Sequence, residues 1–313
     1  MIDLNQIIEQ IGMPDVPLVI AVCNRAGELN FSAKGSWPDG RQVHSSDRFY
    51  AASLAKQVTG AAAAVLVRQG KIDPDIPIAH YLPQLPEWAH GVTTRHLAHH
   101  IAALPAAGKI ESATDDWTDE IAFASAMRIS HLANPPGTAY RYSNLGYVLI
   151  AHIVAHTSGC AFSSFARTQL FIPLDLFDMA FAGPNIEAYS QAAQMGQSRP
   201  LTNGDGGLWS TAETFARWLH HQNRDSLGVA DLVTAPGKLV GGEVVNYGWG
   251  VGLRQHNNCP LFIHGGQWAG CTAKAVRSPS RGIAIAAMSA GASMEALDAL
   301  IVAVLNAELL AGR

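Results

Sequence analysis

Ser53 and Lys56 lie three residues apart in Phe49-Tyr50-Ala51-Ala52-Ser53-Leu54-Ala55-Lys56-Gln57-Val58-Thr59-Gly60, which runs into the alanine-rich stretch 61–67. Ala, Leu, Lys and Gln favour helix, so the composition predicts a helix that opens at Ser53 and carries Lys56 in its first turn. Residues three apart share a helix face, which sets the hydroxyl beside the amine. A helix N-terminus adds unpaired N–H groups and a macrodipole that favours negative charge. The chemistry this pairing offers is an alkoxide nucleophile for acyl transfer. A solvated amine is protonated at neutral pH, so Lys56 serves as a base only where its surroundings disfavour the charged form.

Ser-x-x-Lys is a short pattern, and its meaning depends on what accompanies it. Tyr142-Ser143-Asn144 is the only Tyr-x-Asn in the chain, and His264-Gly265-Gly266 follows further on. Asn144 offers both a donor and an acceptor to an ester or amide. The glycines of the third segment fall on a predicted strand, where they permit close backbone approach by a ligand.

These three elements, in this order, resemble the serine β-lactamase and penicillin-binding-protein superfamily. The flanking text Asn134-Pro135-Pro136-Gly137-Thr138-Ala139-Tyr140-Arg141-Tyr142-Ser143-Asn144-Leu145-Gly146-Tyr147 and Gly206-Gly207-Leu208-Trp209-Ser210-Thr211 is similar to the branch of class C β-lactamases, family VIII esterases and D-aminopeptidases. The likeness runs from about residue 17 to 290. It implies Ser53 as nucleophile, Lys56 and Tyr142 sharing proton transfer with the choice of base left open, and Asn144 as a substrate contact. It also implies that substrate lies along the His264-Gly265-Gly266 strand like an added strand, with the N–H groups of Ser53 and Gln267 as the oxyanion hole.

Two departures from the family pattern carry information. His264 stands in place of the lysine of Lys-Thr-Gly; a histidine is at most partly charged at neutral pH, which disfavours carboxylate-bearing penicillins as substrates. Ala98-His99-His100-Ile101-Ala102-Ala103-Leu104-Pro105 stands where relatives carry a Thr-His-Thr-Ser-Gly-Leu-Pro type of sequence, so an altered local turn is expected.

The elements that must position these groups are readable in outline. Apolar residues at 4, 7, 8 and 11 predict an amphipathic N-terminal helix, and 17–23 and 28–33 flank the turn-rich Asn24-Arg25-Ala26-Gly27 as a hairpin. The Ser53 helix ends at Gly70, a C-terminal glycine signal. From 71 to about 205 the pattern is Pro-punctuated and helical, with a strongly apolar helix over 145–156. Ser210-Thr211-Ala212-Glu213 reads as a capping box opening a helix to Asn223. Strands are expected at 247–254, 260–264, 271–277 and 282–288, the last two joined by Ser278-Pro279-Ser280-Arg281, and 293–311 as a closing amphipathic helix. The expected fold is α+β: an antiparallel sheet flanked by helices, from 1–70 and 206–313, plus an all-helical lobe from 71–205, forming one continuous catalytic unit.

The chain's 313 residues, 48% hydrophobic and 15% charged, can bury a large core. A net charge of −4 gives no basic footprint for nucleic acid and no polybasic membrane signal. The first residues read as an amphipathic helix, not a signal peptide, and no apolar run is long enough to span a bilayer. Four cysteines without Cys-x-x-Cys indicate neither a zinc site nor a disulfide framework. His96-x-x-His99-His100 and His152-x-x-x-His156 have metal-like spacing without a carboxylate motif and are read as structural, so no metal and no cofactor are expected. Gly-x-Ser-x-Gly, a P-loop and a dinucleotide fingerprint are all missing.

The resulting expectation is a cytoplasmic serine hydrolase, an esterase or an amidase/D-peptidase, forming an acyl-enzyme on Ser53. Its partner would be a small ester, amide or short peptide, with no nucleic acid, no membrane and the oligomeric state open. Acyl transfer to a metabolite, weak β-lactamase activity, or a penicillin-binding sensor that acylates once use the same residues and stay open.

Overall fold

A computed structural model describes residues 2–105, 116–181, 199–268 and 270–311. Among these residues six strands form one antiparallel sheet in the order β3-β4-β5-β6-β1-β2. They are β1 (Leu18–Cys23), β2 (Leu29–Lys34), β3 (Gly252–His256), β4 (Cys259–Trp268), β5 (Cys271–Ser278) and β6 (Ile283–Ala290). β1 and β6, far apart in the chain, are neighbours inside the sheet and pair from Leu18↔Ser289 to Cys23↔Ala284.

Every residue of β1 is buried, as a strand covered on both faces must be. Its alternation sorts the core into two layers: Val19, Ala21 and Cys23 belong to one cluster, and Leu18, Ile20 and Val22 to the other. The second cluster is closed by α1 (Leu4–Gln10) and α5 (Met294–Ala311) through Leu4, Ile7, Leu297, Leu300, Ile301 and Val304. The first contains α2 (Ala55–Arg68), α3 (Asn144–Ser158) and α4 (Ala212–Asn223), with α4 lying against β1 and β6 and α3 against α2.

Between 71 and 205 the described elements are mainly helical turns, Asp119–Met127 and α3. Short strands also occur there: Asp116–Thr118 pairs with Arg199–Leu201, and Ala180–Phe181 joins Phe49–Tyr50 on either side of Leu208–Ser210. The expectation of an all-helical lobe over 106–115 and 182–198 lies outside the described residues.

Several boundaries differ from the sequence reading for physical reasons. The strand expected at 247–254 starts only at Gly252, because Tyr247 turns back to bridge Gly252. β4 runs on past 264 to Trp268, so the His264-Gly265-Gly266 segment is central in a ten-residue strand. The helix after Ser210 is capped by Thr211, whose hydroxyl oxygen accepts from the Thr214 N–H at 3.0 Å; Ser210 and Glu213 form no capping box. Ser53 does not open the α-helix itself. It lies in a 3-10 turn, Ala52–Leu54, from which α2 continues at Ala55.

α2 is held at its start by the segment ahead of β3. Gly250 adopts φ 87°, and a Cβ there would overlap the Lys56 carbonyl oxygen and stand 2.6 Å from the Gln57 nitrogen. Only glycine meets both demands. Gly250→Ala is expected to lower the unfolding free energy by about 2–4 kcal/mol, by strain and displacement of the helix start. Urea unfolding measures it, and a loss below about 0.5 kcal/mol would show that this contact is easily relieved.

Candidate functional site

The turn carrying Ser53 is fixed from three sides. Phe49–Tyr50 pairs with Trp209–Ser210, the Ala51 N–H donates to Leu208 O at 2.8 Å, and Ala52 is held at φ 46°, in the left-handed region that costs an alanine about 1 kcal/mol or more. Against it lies Gly266 of β4, where a Cβ would overlap Ala51 O and stand 2.9 Å from the Ser53 nitrogen. The glycine lets the strand backbone reach the Ser53 turn, one residue before Gln267.

β3 pairs with β4 only from His256↔Cys259 to Gly252↔Ile263, whereas β5 pairs with β4 through Trp268↔Cys271. From His264 to Gln267 the other edge of β4 therefore carries no strand pairing among the described residues. Such an edge is a template for an extended ligand.

Lys56 is fully buried, and its Nζ lies 3.0 Å from Ser53 Oγ, 2.9 Å from Asn144 Oδ1 and 2.8 Å from Asp205 O. The amide oxygen and the peptide carbonyl can only accept, so they take two N–H groups. The third position of the nitrogen faces Ser53 Oγ: in the ammonium it is a donating N–H, and in the neutral amine it is the lone pair. The amine can thus take the serine proton without moving. Asn144 is the first residue of α3, whose N-cap Ser143 accepts from the Gly146 N–H.

Tyr142 meets this amine with its ring. Lys56 Nζ stands 5.0 Å from the ring centroid, while the Tyr142 hydroxyl makes no hydrogen bond among the described residues and the residue is 39% exposed.

Two adjacent histidines that the sequence marked only by spacing hold the surrounding segments. His99 Nδ1 donates to Tyr247 O at 2.8 Å, and its Nε2 accepts from Trp249 Nε1 at 3.2 Å. His100, at φ 58°, accepts from Ser143 N through Nδ1 at 3.1 Å and from Arg141 N through its carbonyl at 2.7 Å, clamping the Tyr142 segment. The turn around them is the one expected to be altered, and Ala103 in it also takes φ 58°. His96 Nδ1 accepts from the Thr93 N–H within a capping box, so its ring serves the helix start. The His152 ring packs against Phe123 in a tilted pair with centroids 4.7 Å apart, in keeping with the packing reading, but His156 is exposed.

His264 is buried, with Nδ1 2.7 Å from Gly265 O and Nε2 2.9 Å from the Tyr247 hydroxyl. A carbonyl only accepts, so the proton sits on Nδ1 and Tyr247 donates to Nε2. Burial, reinforced by Lys56 nearby, lowers its pKa to about 3. At neutral pH the ring is therefore uncharged, the lower limit of the expectation that it is at most partly charged.

Tyr247 and Asp205 were not picked out by sequence reasoning, and His100 only through a metal-like spacing read as structural. The signal for Asp205 was an acid inside the glycine-rich Asn203-Gly204-Asp205-Gly206-Gly207, directly before a motif already singled out.

A family model described as Beta-lactamase matches residues 9–307. Penicillin-binding protein 4* of Bacillus subtilis (strain 168) is 25% identical over 76% of this chain and 59% of its own length. Esterase EstB of Burkholderia gladioli is 25% identical over 60% of this chain and 53% of its own. The chain therefore spans little more than half the length of these relatives. The D-amino acid amidase of Ochrobactrum anthropi SV3 superposes with a TM-score of 0.82 at 22% identity, covering 99% of this chain and 100% of that one, a likeness of fold.

The buried histidines make stability pH-dependent. Burial lowers His99 to about 4, His264 to about 3, and His100 well below its ordinary value. Unfolding exposes them to an ordinary pKa near 6.5, so the unfolded chain binds more protons below that pH, and stability is lost as pH falls from about 6.5 toward 4. Asp119, raised by burial to about 6, acts with the opposite sign between pH 4 and 6 but is outnumbered. Denaturant unfolding is expected to show a loss of several kcal/mol between pH 7 and 4.5. Stability that is level or rising on acidification would contradict the neutral histidines.

Proposed function

The chain belongs to the Beta-lactamase family, and we propose that it is a serine hydrolase that forms an acyl-enzyme on Ser53 with small uncharged esters or amides. The observation that carries this reading is the Lys56 amine, with two hydrogens fixed by Asn144 Oδ1 and Asp205 O and its third position 3.0 Å from Ser53 Oγ.

In the acylation step the neutral Lys56 amine takes the Ser53 proton as Oγ attacks the substrate carbonyl carbon. The developing oxyanion is received by the N–H groups of Ser53 and Gln267; removing one such donor costs on the order of 3 kcal/mol of transition-state stabilisation. The substrate backbone lies along the β4 edge beside Gly265 and Gly266. The Lys56 ammonium, faced by the Tyr142 ring, then returns its proton to the leaving oxygen or nitrogen as the carbon–leaving-group bond breaks. Water attacks the ester so formed by the same route in reverse. Lys56 is assigned as the base over Tyr142 because its nitrogen reaches Oγ, whereas the Tyr142 hydroxyl has no hydrogen-bond link to either group among the described residues.

Substrate charge follows from His264. Its two ring nitrogens are engaged by Gly265 O and Tyr247, and the ring is neutral. Lys274 on the neighbouring strand is tied to Asp298 at 2.5 Å. The strand therefore offers no free cation to a carboxylate, which favours neutral esters and amides over penicillins.

The test is side-by-side turnover of p-nitrophenyl esters, D-amino acid amides and nitrocefin. Esters or neutral amides are expected to exceed nitrocefin in kcat/KM by at least about 100-fold, roughly the discrimination that 2–3 kcal/mol provides. His264→Lys is expected to raise nitrocefin relative to the best ester by about tenfold, near the upper worth of a half-exposed ion pair. Efficient nitrocefin hydrolysis by the wild type, comparable to its best ester, would overturn the substrate assignment.

A further inference from the structure

β4 presents its two faces to different parts of the molecule. Leu261 belongs to the apolar cluster closed by α1 and α5, Ile263 packs against it, and a Cβ on Gly265 would stand 3.0 Å from Met294 Cε of α5. The intervening residues point the other way: His264 reaches Tyr247, and a Cβ on Gly266 would stand 2.9 Å from the Ser53 nitrogen. Strand alternation places Trp268 on that same face, one pleat or about 7 Å beyond Gly266. Its cross-strand partner agrees. Cys271, which pairs with Trp268, is buried in a small cluster with Tyr50, Ala52 and Trp209 around the Ser53 turn.

Trp268 is not a core residue. Trp209 in the adjoining cluster is 2% exposed, whereas Trp268 keeps 36% of its surface open at the end of the β4 edge. That edge, from His264 to Gln267, carries no strand pairing among the described residues, and its two ends differ. At the His264 end lie the Tyr142 ring, 6.3 Å from the His264 ring, and the Lys56 amine, 5.0 Å from the Tyr142 ring. The leaving group departs there, because Lys56 returns its proton to it. With the oxyanion turned to the N–H groups of Ser53 and Gln267, the acyl group is directed to the opposite end of the edge, where Trp268 stands.

We propose that Trp268 is the specificity-determining residue of the acyl side, selecting esters and amides whose acyl group carries a flat aromatic ring one or two bonds from the carbonyl carbon. The inference rests on the serine-hydrolase reading of the same site. An aromatic ring meets the indole in an offset or edge-to-face pair and removes apolar surface of both from water, whereas a methyl group is too short to reach it. The contact belongs to the acyl half of the substrate, so it persists in the acyl-enzyme after the leaving group has gone. Selection is therefore independent of what leaves.

The test is kcat/KM for p-nitrophenyl phenylacetate and p-nitrophenyl acetate in wild type, Trp268→Ala, Trp268→Leu and Trp268→Phe, with thermal unfolding followed in each. Both esters release the same p-nitrophenolate, so their ratio, divided by the ratio for hydroxide hydrolysis, reads the acyl side alone. The wild type is expected to favour phenylacetate by at least about tenfold, and Trp268→Ala to lower the ratio about tenfold. Trp268→Phe keeps a flat ring and most of the ratio. Trp268→Leu keeps apolar bulk without the ring and loses most of it, and it decides on the same ratio should Trp268→Ala fail to fold. A ratio unmoved in Trp268→Ala and Trp268→Leu, whether or not both rates fall together, would reduce Trp268 to a structural role and overturn the inference. A wild type that hydrolyses neither ester and is unlabelled at Ser53 by a fluorophosphonate would instead remove the hydrolase reading itself, a result distinct from either ratio.

Discussion

A primary amine buried away from water has to find an acceptor for each hydrogen it carries, and around Lys56 that demand ties the site together. Its acceptors come from three separate parts of the chain: the Ser53 turn, the first residue of α3, and the glycine-rich loop before Leu208. Displacing any of them leaves a buried donor unpaired. The geometry needed for proton transfer is thus also the geometry that satisfies the amine. The neighbouring backbone is built to hold this junction, with Ala52 in a left-handed conformation and Gly250 pressed onto the Lys56 carbonyl.

The sheet supplies the second half of the site. β3 stops pairing at Ile263, which leaves the following residues of β4 beside the Ser53 turn, and Gly266 lets the two backbones close to contact distance. Fold and chemistry meet at that residue, because a side chain there would push the strand away from Ser53. His264, one pleat earlier on the same side of the strand, is turned inward to Tyr247 and leaves the edge without a charge.

Local signals were legible in the sequence. Ser53 with Lys56, Tyr142 with Asn144, and His264 with its glycines are short motifs of chemically distinctive residues. β1, β2, β5 and β6 announced themselves by apolar character and turn residues, and α5 by its periodicity. Contacts between distant segments were not legible. Lys56 and Asp205 are 149 positions apart, and His99 and Tyr247 are 148 apart, so neither pairing leaves a trace in any local window. The charge of His264 was open for the same reason, since only the burial imposed by the folded strand makes the ring neutral. The choice of Thr211 over Ser210 as cap turned on one residue of register, which propensity does not resolve.

The central claim is that Ser53 is a nucleophile activated by Lys56, and trapping the covalent intermediate tests it most directly. Wild type, Ser53→Ala and Lys56→Ala would be mixed with a p-nitrophenyl ester, quenched in acid during the first turnovers, and examined by intact mass and peptide mapping. The account predicts one acyl adduct in the wild type, located on the peptide containing Ser53, none in Ser53→Ala, and formation slowed at least about 100-fold in Lys56→Ala. An adduct on another residue, or one that forms at the wild-type rate without Lys56, would contradict it.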